Sequence, residues 1–191
     1  MLNRKASDSK NKPDEVLQAL GLKEGQRVAD IGAGGGYFAL RFAAIVGNRG
    51  KVFAVDTDSM FLKFIQARAK DKGLSNIVFI LTTEKNTALN LENLDLIFMR
   101  NVCHHLRKRV EYFKSLRDLL VDDGKIAVVE YRGVEGFSFH RLFGHYVPKE
   151  RIIREMREAG LRIEEDIGFL PEQSFTIYRR QRFGQRNSAE D

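Results

Sequence analysis

Val28-Ala29-Asp30-Ile31-Gly32-Ala33-Gly34-Gly35-Gly36-Tyr37-Phe38 is the stretch on which the fold turns. A run from Arg27 to Ile31 breaks into four glycines within positions 32–36, after which Phe38, Phe42, Ile45 and Val46 recur at the spacing of one helix face. The pattern predicts a buried strand, a sharp turn and a helix, in that order. Glycines let the main chain turn tightly and let a ligand lie against it, beside the unpaired N–H groups of the helix start. A tight turn with no ligand is the plainer reading, and the density of glycines beside a carboxylate argues against it.

Outward from this stretch the same rhythm continues. Upstream, Pro13 opens a short helix with Val16, Leu17 and Leu20 on its apolar face and Gly21 as its stop. Downstream, Lys51–Val55 reads as a second strand. Asp58 or Ser59 then caps a helix with Phe61, Ile65 and Ala69 inward and Gly73 past its end. Ile77–Leu81 and Leu94–Met99 are further strands, Val110, Phe113, Leu116 and Leu120 mark a helix, and Lys125–Glu130 is a fifth strand. Pro148, at a first helical position, opens the last helix, which Gly160 closes after Ile152, Met156 and Ala159. Leu161–Phe169 and Ser174–Tyr178 then form a hairpin across residues 170–173. Strands alternating with helices require a parallel sheet covered on both faces. The expected fold is therefore α/β, a doubly wound, mostly parallel seven-stranded sheet with a C-terminal antiparallel hairpin. Ligands of such sheets sit beyond the carboxyl ends of the strands.

A chain of 191 residues, 43% hydrophobic and 30% charged, has room for one domain and enough apolar surface for a core. We place that domain at 13–179, between a polar, disordered tail at 1–12 and a basic tail at 180–191. The formal charge of +6 suggests a polyanionic partner. It is concentrated at the ends, since residues 13–178 hold 24 basic against 23 acidic side chains. Nucleic acid thus remains a partner only through the tails, which also serve solubility. The single cysteine, Cys103, excludes an intrachain disulfide framework and a multi-thiolate zinc site. Neither a signal-peptide core nor an apolar stretch of membrane-spanning length is present, so a cytoplasmic protein without membrane association is expected.

Which ligand the loop takes is a question of charge. A dinucleotide fingerprint G-x-G-x-x-G/A fails from Gly32, where Tyr37 takes the last place, and survives only as Gly34, Gly36, Ala39. Asp30, two residues before the first glycine, opposes a pyrophosphate but suits a cation. With Asp30, Gly32, Gly34 and Gly36 in place, the chain resembles the class I S-adenosylmethionine-dependent methyltransferases, whose first motif is an acid followed by G-x-G-x-G. The likeness runs from about Pro13 to Tyr178. It implies a Rossmann-like sheet with a terminal antiparallel strand, and S-adenosylmethionine as cofactor, with Ala33 in the same loop.

The other strand ends supply the remaining candidates. Asp56 ends the second strand about twenty residues after the glycines, where a carboxylate accepts both ribose hydroxyl protons; the resemblance assigns it that task, with Thr57 beside it, and helix capping is the alternative. Beyond the third strand, the resemblance points to Glu84 for the adenine amino group, with Thr83 beside it as a further cofactor-site candidate. Met99-Arg100-Asn101-Val102-Cys103-His104-His105-Leu106 is similar to the family's asparagine-valine-x-histidine-histidine wording, which makes Arg100 and Asn101 cofactor-wall candidates. Adjacent histidines point apart on regular elements, so no metal site is expected and packing roles are favoured for them. Cys103 reads as a small buried residue. The aromatic-rich stretch from Tyr131 to Tyr146 either lines a substrate pocket or packs as a loop or subunit contact, and the oligomeric state stays open.

Methyl transfer from a sulfonium needs alignment and a dry site more than a dedicated catalytic residue. Where the acceptor must lose a proton, His105, His140 and His145 are the candidate bases. A small-molecule acceptor is expected. An RNA or protein acceptor anchored by the arginine tail is the alternative, and a catalytically silent adenosyl- or dinucleotide-binding module is the rival from another class.

Overall fold

The computed structural model describes residues 8–83, 91, 93–132 and 146–181. Its strands are β1 (Arg27–Ile31), β2 (Lys51–Asp56), β3 (Ile77–Leu81), β4 (Leu94–Arg100), β5 (Leu120–Tyr131), β6 (Leu161–Ile167) and β7 (Gln173–Arg180). They form one sheet in the order β3-β2-β1-β4-β5-β7-β6. The first five pair in parallel, while β7 runs antiparallel to both β5 and β6. The chain winds outward from β1 to β3, then crosses back to lay β4 on the other side of β1. A crevice opens there, at the carboxyl ends of β1 and β4.

Both faces of the sheet are covered. Helices α1 (Pro13–Leu20), α2 (Tyr37–Val46) and α3 (Ser59–Asp71) bury one core with Val28, Val52, Ala54, Leu96 and Phe98. Helices α4 (Arg109–Asp118) and α5 (Lys149–Glu158) bury a second with Ala29, Ile31, Val55, Ile97 and Met99. Neighbouring residues of one strand enter opposite cores, which is why the strands read as continuous apolar runs. Phe38, Phe42 and Phe98 meet with ring centroids 4.8–5.8 Å apart. Full burial of Phe42 and of Phe98 stabilises the fold by about 1.5–3 kcal/mol each.

Several details differ from the pattern-based expectation. Ile45 is 38% exposed, because Ala39 and Ala43 complete the inward face of α2 in its place. Leu62, not Phe61, faces the core from α3. Strand β5 starts at Leu120, which pairs with Leu94 before a register shift in the β4–β5 ladder. Pro148 stands just before α5 with ψ 137°, as its cap. Strand β7 takes in Arg180, and Gln181 N–H donates to Gly160 O at 3.0 Å, so the edge of the folded unit lies beyond residue 179. Part of the N-terminal stretch is ordered locally: Ser9–Asn11 form a single 3-10 turn capped by Asp8, and Lys12 lies 5.9 Å from the Phe169 ring centroid. No helix among the described residues is long and apolar enough to cross a membrane.

Candidate active site

The glycine loop is folded back onto β2. Gly32 and Ala33 N–H both donate to Val55 O, at 2.8 and 3.1 Å, and Gly34 N–H donates to Asp56 Oδ2 at 2.7 Å. The other Asp56 oxygen accepts from Asp58 N–H at 3.0 Å. Two glycines are sterically required. A Cβ on Gly32, whose φ is +71°, would stand 2.6 Å from Val102 Cγ2. One on Gly36, at φ +73°, would stand 2.6 and 2.9 Å from Ile65 side-chain carbons, so this glycine lets α2 and α3 pack closely.

A cavity of about 300 Å³ opens above the loop. Along its wall lie Thr82 and Thr83 after β3, Asp56 and Thr57 at β2, Gly32 and Gly34 after β1, and Asn101 after β4. These strand ends span three inter-strand spacings of about 4.8 Å, roughly 14 Å in all. The cavity is therefore elongated across the sheet, with a β3 end and a β4 end. Val102, His105, Leu106 and Tyr112 close the β4 end. Phe61 joins the wall from α3. Helical spacing assigns Phe61 to the core, and only its place in the first turn, beside the strand ends, distinguishes it. Thr82, the residue before the predicted Thr83, needs no special motif to be found, since it is the first residue past β3.

Four predicted residues, Asp30, Ala33, Gly36 and Arg100, sit elsewhere than the cavity wall. Asp30 is 3% exposed and faces α2, where Ala39 N–H donates to it. Gly36, as N-cap of α2, has no side chain to offer the helix, and Asp30 supplies the missing acceptor. Burial pushes the Asp30 carboxyl up from 3.8 to about 7, with the Ala39 hydrogen bond opposing, the Asp56 charge adding and Arg100 opposing. Ala33 packs on the core and Gly36 on Ile65, so neither borders the cavity. Arg100 lies beneath the strand ends, 5.9 Å from the Phe38 ring centroid, and burial lowers its pKa. Glu84, His140 and His145 fall outside the described residues.

The turn after β4 contains the histidine pair. Its 3-10 geometry over Cys103–His105 brings the two rings to 4.1 Å with an interplanar angle of 46°, so these neighbours do not point apart. His104 Nδ1 lies 3.0 Å from Glu130 Oε1, while Glu130 Oε2 accepts from Cys103 N–H at 2.9 Å. Glu130, fully buried at the end of β5, thus ties the turn down and leaves His105 against the cavity. The Cys103 thiol is pushed up by burial, as suits a packing residue. Among the described residues no three His, Cys, Asp or Glu side chains gather to hold a metal ion.

Comparison with known proteins supports the fold. A family profile described as a methyltransferase domain matches residues 22–161. The chain belongs to that family. Over 130 residues it is 31% identical to a tRNA U34 carboxymethyltransferase of Pseudomonas fluorescens, covering 67% of this chain and 38% of the relative. Over 117 residues it is 25% identical to a ubiquinone/menaquinone biosynthesis C-methyltransferase of Azotobacter vinelandii, covering 61% of this chain and 46% of the relative. The match thus spans less than half the length of each of these relatives. A SAM-dependent methyltransferase structure from Aquifex aeolicus superposes with a TM-score of 0.79 at 22% identity, over 92% of this chain and 95% of that one. The [4+2]-cyclase SpnF shares the fold at a TM-score of 0.74 and 16% identity, over 90% of this chain and 80% of that one.

The methyl donor of this family, S-adenosylmethionine, fits the methyltransferase-domain cavity. Thr82 Oγ1 is buried in the wall without a partner among the described residues, an unmet polar group that a bound heterocycle would satisfy. Asp56 lies on the same wall, with carboxylate oxygens able to accept hydroxyl protons of a bound sugar. A dinucleotide fits poorly for a reason that lies in Asp56 rather than Asp30: its carboxylate already occupies the Gly34 N–H that a phosphate would need. Among the described wall residues there is also no lysine or arginine to meet a diphosphate.

Proposed function

We propose that this methyltransferase-domain protein transfers the methyl group of S-adenosylmethionine to a small-molecule acceptor, with the donor lying along the strand ends. Its adenine sits at Thr82 and Thr83, its ribose at Asp56 beside Thr57, and its amino-acid end between Gly32 and Asn101. The bound donor supplies an electrophilic methyl group: a bond forms from the acceptor to the methyl carbon as the carbon–sulfur bond breaks, leaving a neutral thioether. The protein contributes alignment and dryness. Asp56, held by two backbone N–H groups, receives the ribose hydroxyls in a fixed orientation. Val102, Leu106 and Tyr112 exclude water from the β4 end, and His105, on the same wall, takes the proton of an acceptor that must lose one.

The single observation that carries the small-molecule reading is this end wall, made largely by Val102, Leu106 and Tyr112 and with no lysine or arginine among its described residues. A strand of RNA calls for a cationic track along its phosphates. Two of the C-terminal arginines are already engaged in the fold: Arg179 bonds to Glu164 and to Asp123 O, and Arg180 to Leu120 O. The likeness to the quinone-biosynthesis C-methyltransferase supports the same choice. The test is the fate of label from methyl-tritiated S-adenosylmethionine in a cell extract supplemented with the protein. Counts should appear in an acid-soluble product that chromatography separates from S-adenosylmethionine; counts confined to precipitated RNA or protein would overturn the reading. A silent binding module would show a melting shift with S-adenosylhomocysteine and no label transfer at all.

A further inference from the structure

Asn101 is one of three non-glycine residues with positive φ among the described residues, at +56°. Its N–H continues the β4–β5 ladder by donating to Val129 O at 2.8 Å, and its side chain is held from a distant part of the chain. Gln173, the first residue of β7 and 1% exposed, donates from Nε2 to Asn101 Oδ1 at 2.8 Å. Gln173 stands opposite Tyr131 of β5, so it reaches past one strand to grip the residue that ends the next. Its own Oε1 accepts from an Arg100 Nη at 3.5 Å.

This chain of contacts has a direction. A guanidinium only donates, so the Gln173 atom facing Arg100 must be its oxygen. The amide nitrogen is then committed to Asn101, whose oxygen must be the atom that receives it. What remains of the Asn101 side chain is its NH₂ group, and none of the hydrogen bonds among the described residues engages it. Asn101 borders the β4 end of the cavity.

We infer that Gln173 is a positioning residue that fixes the polarity of Asn101, so that this end of the cavity presents a hydrogen-bond donor to a carboxylate. The carboxylate in question is that of the donor's amino-acid end. The antiparallel strand thereby sets how the cofactor's tail is held, although Gln173 does not border the cavity. The inference rests on the donor lying with its amino-acid end at β4, as proposed above.

The decisive variant is Gln173→Glu. Glutamate keeps the shape and the acceptor for Arg100 but has no N–H to give, so Asn101 must turn its NH₂ toward residue 173 and show its oxygen to the cavity. Binding is measured by calorimetry with two probes, S-adenosylhomocysteine and 5′-methylthioadenosine; the second lacks the amino-acid tail. Q173E should bind S-adenosylhomocysteine about tenfold more weakly or worse, the loss expected when a donor facing a carboxylate is replaced by an acceptor. Its affinity for 5′-methylthioadenosine should stay within about twofold of the parent. Asn101→Asp, which also turns an oxygen to the cavity while Gln173 still donates, should reproduce the pattern. Equal losses for both probes, or no loss for either, overturns the inference. If Q173E does not fold, Gln173→Met reads the tether alone and must show the same selective direction. Failure of the parent protein to bind S-adenosylhomocysteine would instead refute the underlying placement of the donor.

Discussion

Asp30→Asn isolates the strangest charge in the molecule. The wild-type carboxyl is buried against α2 with its pKa raised from 3.8 to about 7. The folded state therefore binds a proton more tightly than the unfolded chain, so stability is highest below about pH 4 on this account. It falls as pH rises from there through about 7, and is flat above. At roughly 1.36 kcal/mol per pH unit the full loss is about 4 kcal/mol, an upper figure because burial is relieved by small rearrangements. Asparagine keeps an oxygen for Ala39 N–H and never ionises. Its NH₂ group must find a partner, which costs about 1–3 kcal/mol at every pH. The prediction is thus a change with pH: relative to the parent, Asp30→Asn should be level or slightly less stable at pH 5 and gain about 2–3 kcal/mol by pH 8. Urea melts of the two proteins at matched pH between 5 and 8.5 read this difference, in which titrating groups that do not interact with Asp30 cancel. A difference that stays constant across the range would refute the reasoning.

Other perturbations follow from the same contacts. Asp56→Asn places an NH₂ group against either Gly34 N–H or Asp58 N–H, and should weaken S-adenosylhomocysteine and 5′-methylthioadenosine alike by about 10- to 100-fold; calorimetry showing a tail-dependent loss would contradict the ribose placement. Gly36→Ala should cost about 1–3 kcal/mol, from its positive φ and from Ile65. In a double-mutant cycle with Ile65→Ala the losses should add to less than their sum, and strict additivity would show that the two residues do not meet. Glu130→Ala strips buried partners from Cys103 N–H and from His104, so thermal melting should drop by roughly 10 °C, with S-adenosylhomocysteine affinity falling as the turn bearing Asn101 and His105 loosens.

Much of this was legible in the residues. Alternating apolar runs, helix stops at glycine and the four-glycine loop specify the doubly wound sheet because both strand faces are buried, and periodicity reports burial directly. Asp56 and Asn101 were equally visible, since the fold places whatever follows a strand at the open edge. The role of Asp30 was not. Its position before the glycines points toward the ligand, yet strand alternation puts its side chain on the Val28 and Phe98 face, where it caps α2. Phe61 was misplaced for a related reason: a helix's first turn beside the crevice has two apolar environments, and spacing does not tell them apart.

Local chemistry, then, determined by itself the succession of strands and helices, the glycine loop that borders the cavity and the acid at the end of β2. Each depends on residues within a few positions of one another. Only the folded chain decided that Asp56 fills the Gly34 N–H, that Glu130 braces the histidine turn, and that Gln173 orients Asn101 across 72 positions of sequence. Hydrogen bonds of that kind join residues through sheet order, and sheet order is set by which apolar faces can be buried together, a property of the whole chain and of no single segment.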